Sequence, residues 1–145
     1  NPTSDEVSTA INHIGLTLLQ FHGQETDEFC NQFGLPFIKS IAMSNDQDIT
    51  SQINAYPHAK ALVLDTHNEG TSGGTGQTFD WSLYPKDSPK PLILAGGLTP
   101  DNIALAIETL HPYGVDVSSG VEKTLGYKDH DKIEYFCQQV RGDHG

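Results

Sequence analysis

The chain has 145 residues, 36% hydrophobic and 19% charged, with a mean hydropathy of −0.40, which fits one folded domain over residues 1–145 rather than a disordered chain. The formal net charge is −11 and the eight Lys and Arg are scattered, so the concentrated cationic face of a nucleic-acid binder is excluded. No apolar run approaches the roughly 20 residues that cross a bilayer, and no charged-then-apolar leader opens the chain, so a cytoplasmic protein is expected.

In chain order, Thr3-x-x-Glu6 is a capping-box pattern ahead of Val7, Ile11 and Ile14 at helical spacing, which predicts a helix over Ser4–Ile14. Residues 16–21 form a short apolar run ended by His22-Gly23 and read as a buried strand; 25–33 reads as a short helix stopped by Gly34. The unit repeats as a strand over 37–43, a weaker helix over 46–55 and a strand over 61–64 ending at Asp65. A glycine-rich loop, 66–77, follows, then one or two helical turns over 79–84. The strand over 92–95 ends in Gly96-Gly97. Thr99-Pro100-Asp101-Asn102 then opens a helix that buries Ile103, Ile107 and Leu110. A last strand, 115–117, ends in Ser118-Ser119-Gly120, and residues 129–140 form a helix with Ile133, Phe136, Cys137 and Val140 on one stripe.

Alternating βα units mean a parallel sheet with crossover helices. An open doubly wound sheet and part of a (βα)₈ barrel both fit, and both bind ligands at the C-terminal ends of their strands, where His22, Asp65, Gly96 and Ser118 stand. Periodicity does not choose between them. Five strands suffice for an open sheet; a barrel needs eight, so the barrel reading expects further strands ahead of Asn1.

Cys30 and Cys137 fall in no CxxC or Cys/His spacing and the seven histidines in no HExxH, so reduced thiols and no metal site are expected. The chemistry gathers near the end instead. Residues 94–100 (LAGGLTP) and 114–122 (GVDVSSGVE) each put small residues directly after a strand. Small residues let main-chain N–H groups approach a phosphate, and an acidic chain can bind an anion that way. Taken singly, such loops are as well explained as tight turns; two on neighbouring strands favour a phosphate site. Gly73-Gly74-Thr75-Gly76 is no nucleotide-binding P-loop, because Gln77 occupies the lysine position.

AGGLTPDN (95–102) followed by GVDVSSGVE resembles the signature of the phosphoribosylanthranilate isomerase family. GGTGQTFDW (73–81) after Leu64-Asp65, LQFHG (19–23) and Asn1-Pro2-Thr3 are similar to other parts of the same family, in order from Asn1 to Gly142.

The resemblance implies an α/β fold, a (βα)₈ TIM barrel of the phosphate-binding type, incomplete here, whose fourth to eighth strands are the five found. It implies an isomerase of tryptophan biosynthesis. The reaction is the Amadori rearrangement of N-(5-phosphoribosyl)anthranilate to 1-(2-carboxyphenylamino)-1-deoxyribulose 5-phosphate, aldose to ketose, without cofactor or metal. Asp65 takes the place of the family's general acid. Gly96, Gly97, Asp116, Ser118 and Ser119 surround the 5-phosphate, Asp116 orienting the loop, and His22 lines the mouth. The family's base, a cysteine ending the first strand, and its carboxylate-pairing arginine have no counterpart: Cys30, Cys137 and Arg141 are misplaced. The chain by itself is therefore expected to be inactive, having lost about two to four orders of magnitude in rate. Partners expected are the sugar phosphate, a second copy through the exposed barrel edges, or a fused synthase domain. An inactive self-associating fragment is one rival reading. Another is a related phosphate-binding barrel such as indole-glycerol-phosphate synthase, which needs a catalytic lysine and glutamate at strand ends, whereas Lys39 lies inside a strand.

Overall fold

The computed structural model describes residues 1–43, 48–66 and 81–142. The expected helix start at 46–47, the glycine-rich segment 67–77 and residues 79–80 lie outside the described residues.

Five parallel strands, β1 (Leu19–Phe21), β2 (Phe37–Ala42), β3 (Ala61–Asp65), β4 (Leu92–Ala95) and β5 (Gly114–Val115), form one sheet in the order β1-β2-β3-β4-β5. The helices α1 (Ser4–Ile14), α2 (Asp27–Asn31), α3 (Ile49–Asn54), α4 (Ile103–Leu110) and α5 (His130–Arg141) alternate with them. This order decides between the two architectures. A doubly wound sheet must reverse its strand order once to place helices on both faces. Here every strand lies beside its predecessor, so right-handed crossovers carry every helix to the same face, which is the winding of a barrel.

The core confirms that one-sidedness. Side chains alternate along each strand, and Leu19, Phe21, Phe37, Ile41, Leu62, Leu64, Leu92 and Leu94 turn to the face that also buries Val7, Cys30, Ile53, Ile103, Ala106 and Phe136 from the helices. Ile38, Ser40, Val63, Asp65, Ile93 and Ala95 belong to the other face by the same alternation. Four phenylalanines fasten α2 to the sheet, with Phe21 about equidistant from Phe29 (6.0 Å), Phe33 (6.2 Å) and Phe37 (6.1 Å).

Local chemistry sets the boundaries. Thr3 Oγ1 accepts from Glu6 N–H at 3.3 Å and Glu6 Oε2 accepts from Thr3 N–H at 2.7 Å, completing the capping box, and Gly15 ends α1 at φ +70°. Asp48 and Asp129 cap α3 and α5 through two backbone N–H groups each. The expected strand over 16–21 shortens to Leu19–Phe21, because only residues 19–21 pair with β2 and Leu18 is 49% exposed. The last strand is Gly114–Val115 rather than 115–117. The expected apolar stripe of α5 is also corrected. Phe136 is buried, whereas Cys137 is exposed and Ile133 and Val140 lie near the surface, because α5 packs on α4 and the 3₁₀ turn Ser119–Val121 at one end of the sheet. An antiparallel pair that the periodicity did not indicate, β6 (Glu122–Thr124) with β7 (Tyr127–Lys128), stands between that turn and α5.

Lys39 is the unusual residue of the core. It points into the helix-side face, 2% exposed, and its ammonium donates to Gly23 O at 2.7 Å and Ser40 O at 3.0 Å, 3.5 Å from the Glu25 carboxylate and 5.4 Å from the centre of the Tyr56 ring. Burial pushes the Glu25 carboxyl up, but its own N–H, the Lys39 charge and the Gly23 N–H outweigh that and hold it below the ordinary range. The pair fixes the loop after β1. No helix among the described residues is long and apolar enough to cross a membrane.

Candidate functional site

The C-terminal ends of β3, β4 and β5 stand side by side. Asp65 is the last residue of β3, in register with Ala95, the last of β4, and its own carbonyl accepts from Met43 N–H at 2.8 Å. Asp65 is partly exposed at this edge. Immediately after Ala95 the chain turns through Gly96 (φ +82°) and Gly97 (φ +65°), a left-handed pair that side chains disfavour. The amides of Gly96 and Gly97 donate to no group among the described residues, and neither do those of Ser118 and Ser119. Such N–H groups at a strand end are what an anion needs.

The two tips are in contact. A Cβ placed on Gly120 would come to 1.8 Å from the Leu98 carbonyl oxygen, so only glycine lets the turn after β5 lie against the turn after β4. Asp116 N–H donates to Leu94 O at 2.8 Å and extends the β4–β5 pairing, while the Asp116 side chain is exposed. Asp65, Gly96, Gly97, Asp116, Ser118 and Ser119 are therefore brought to neighbouring strand ends. His22 is not among them. It directly follows β1, two strands from β3, and lines a groove of about 650 Å³ beside β1 with Gln20, Glu25 and residues 1–2. That groove contains none of the strand-end residues from Asp65 onward, so His22 stands apart from them.

Three residues that the sequence reading left out of the site hold these tips. Thr66 Oγ1 lies 3.0 Å from Ala95 O and 2.7 Å from Gly96 O. Asn102, expected to open a helix, gives α4 no side-chain cap; its carboxamide instead accepts from Thr99 N–H at 2.8 Å and donates to Gly97 O at 2.9 Å. Lys128 on β7 donates to Ser118 O at 2.8 Å and to Glu122 Oε1 at 2.9 Å, and that hydrogen bond is the main cause of the lowered Glu122 pKa. A hydroxyl directly after the strand-ending acid was the one signal available for Thr66.

The cysteines supply no base here. Cys30 is fully buried in α2, and burial, with the Glu25 charge adding to it, pushes its thiol up to about 11. Cys137 is on the surface of α5.

Residues 1–139 match the family model described as N-(5'-phosphoribosyl)anthranilate (PRA) isomerase. The N-(5'-phosphoribosyl)anthranilate isomerase of Pseudomonas fluorescens (strain SBW25) is 47% identical over 145 residues, all of this chain and 69% of that protein. Among solved structures, the phosphoribosyl anthranilate isomerase of Thermotoga maritima superposes with a TM-score of 0.85 at 38% identity, over 98% of this chain and 70% of its own. A phosphoribosyl anthranilate isomerase in complex with reduced 1-(o-carboxyphenylamino)-1-deoxyribulose 5-phosphate superposes at 0.81 with 34% identity, over 98% of this chain and 68% of that one. Matching in fold and along nearly its whole length, the chain belongs to the N-(5'-phosphoribosyl)anthranilate isomerases, the isomerases of tryptophan biosynthesis.

Proposed function

We propose that the ends of β3, β4 and β5 form the acid and phosphate half of an Amadori-rearrangement site acting on N-(5-phosphoribosyl)anthranilate. In this reading the amides of Gly96, Gly97 and Ser119 hold the 5-phosphate, with Ser118 beside them and Asp116 keeping the loop in place. The carboxylic acid of Asp65 gives its proton to the furanose ring oxygen as the C1–O bond breaks, and the nitrogen lone pair forms the C1=N Schiff base. Loss of the C2 proton to a base and reprotonation at C1 then give the ketose, with no net change in atoms or electrons. The observation that supports this most is the register. Asp65 pairs with Ala95, so the acid stands one strand spacing, about 5 Å, from the Gly96-Gly97 turn. The relative in complex with reduced 1-(o-carboxyphenylamino)-1-deoxyribulose 5-phosphate supports the same substrate class.

The test is Asp65→Asn in a single-turnover assay with protein in excess. The rate should fall about 10²- to 10⁴-fold while ribose 5-phosphate affinity stays within about twofold. An unchanged rate would remove Asp65 from the chemistry. The outer edge of β1, which pairs with no strand among the described residues and is flanked by exposed Leu18, supports self-association at high concentration, to be checked by sedimentation.

A further inference from the structure

We propose that Thr66 is a positioning residue for phosphate binding, tying the strand that carries the acid to the turn that grips the anion; the inference rests on the phosphate reading above. In a trans peptide the C=O and the following N–H point in opposite directions, and no cis peptide bond occurs among the described residues. The Ala95 carbonyl accepts from Thr66 N–H at 3.0 Å and lies 3.0 Å from Thr66 Oγ1, and the Gly96 carbonyl lies 2.7 Å from the same hydroxyl. Thr66 continues β3, and β4 lies between β3 and β5. Two successive carbonyls turned toward β3 therefore turn the next two N–H groups, those of Gly96 and Gly97, away from β3 and toward the Ser118-Ser119 tip.

The hydroxyl has one hydrogen to share between two acceptors, and the closer one is Gly96 O. Its contribution therefore falls chiefly on the Gly96–Gly97 peptide, the one whose glycine is exposed at φ +65° and has the least else to hold it. Without the hydroxyl, that peptide is free to flip and present its carbonyl to the phosphate. Thr66 itself touches no substrate atom in this account. It sets the direction of donors and leaves the acid untouched.

The experiment is an amide NMR titration with ribose 5-phosphate on the wild-type chain, Thr66→Val and Thr66→Ser, together with kcat and KM. The wild type should shift at Gly96, Gly97 and Ser119. Thr66→Val should raise Kd and KM about 3- to 10-fold with kcat within about twofold, the opposite split from Asp65→Asn, and Thr66→Ser should restore binding to within about twofold of wild type. If Thr66→Val does not fold, Thr66→Ala carries the same expectation. A valine variant that binds like wild type, or a serine variant as weak as valine, overturns the role of Thr66 and leaves the phosphate site standing. A wild type whose shifts avoid these amides overturns both.

Discussion

Replacing Lys39 by methionine, a side chain of similar shape, removes the charge from the most enclosed polar residue among the described residues. The Lys39 and Glu25 side chains are 2% and 4% exposed, and the ammonium satisfies two backbone carbonyls besides the carboxylate. Breaking a buried pair by deleting one partner costs about 3–5 kcal/mol. Glu25 keeps the Gly23 N–H at 2.9 Å, which points to the lower end, about 3 kcal/mol. For a chain of this size that lowers Tm by about 6–12 °C. The pH dependence carries the sign. The Glu25 pKa in the folded chain is below the ordinary 4.5, so its contribution is full above that value and is lost as pH falls through the lower one. Thermal melts of wild type and Lys39→Met between about pH 3 and 7 should show the gap narrowing on the acid side, and Lys39→Met/Glu25→Gln should recover part of the loss. A Lys39→Met variant melting within about 2 °C of wild type at pH 7 would refute the assignment of the pair as a buried clamp on the Gly23 loop.

Gly120→Ala should destabilise the chain by about 1–3 kcal/mol and abolish ribose 5-phosphate binding in a titration, because the new methyl meets the Leu98 carbonyl oxygen at 1.8 Å and must drive the two tips apart. His111→Gly should raise stability by about 1 kcal/mol in urea melts, since His111 ends α4 at φ +47° and makes no use of its side chain in the cap. A thiol reagent should label only Cys137 in the native chain and both cysteines after denaturation, as Cys30 is enclosed and its thiol is held at about 11.

The alternation of strand and helix was legible because parallel strands buried on the helix side keep apolar residues together, as in Ala61-Leu62-Val63-Leu64, and because Thr3-x-x-Glu6 announces its own helix start. The choice of a barrel over an open sheet was not in the periodicity. It came from resemblance, and in the structure it rests on strand order, a property of how elements neighbour one another. The site divides in the same way. Asp65, Gly96-Gly97 and Ser118-Ser119 are visible as polar or small residues at strand ends. The contact between the tips depends on what Gly120 faces across space, and Asn102 looks like a helix cap until its carboxamide is seen holding Gly97. Lys39 reads as a stray charge in a strand, and only its partners Gly23, Ser40 and Glu25, all from the sheet or the loop after β1, make it a core residue. The β6–β7 pair was missed because Glu122-Lys123-Thr124 and Tyr127-Lys128 lack any apolar alternation and stay largely exposed.

A crystal structure of the chain with ribose 5-phosphate bound asks the main question most directly. The phosphate oxygens should lie within about 3.2 Å of the Gly96, Gly97 and Ser119 nitrogens, with the sugar extending over β3 toward the Asp65 carboxyl. A phosphate seated instead in the groove beside β1, next to His22, would contradict the account.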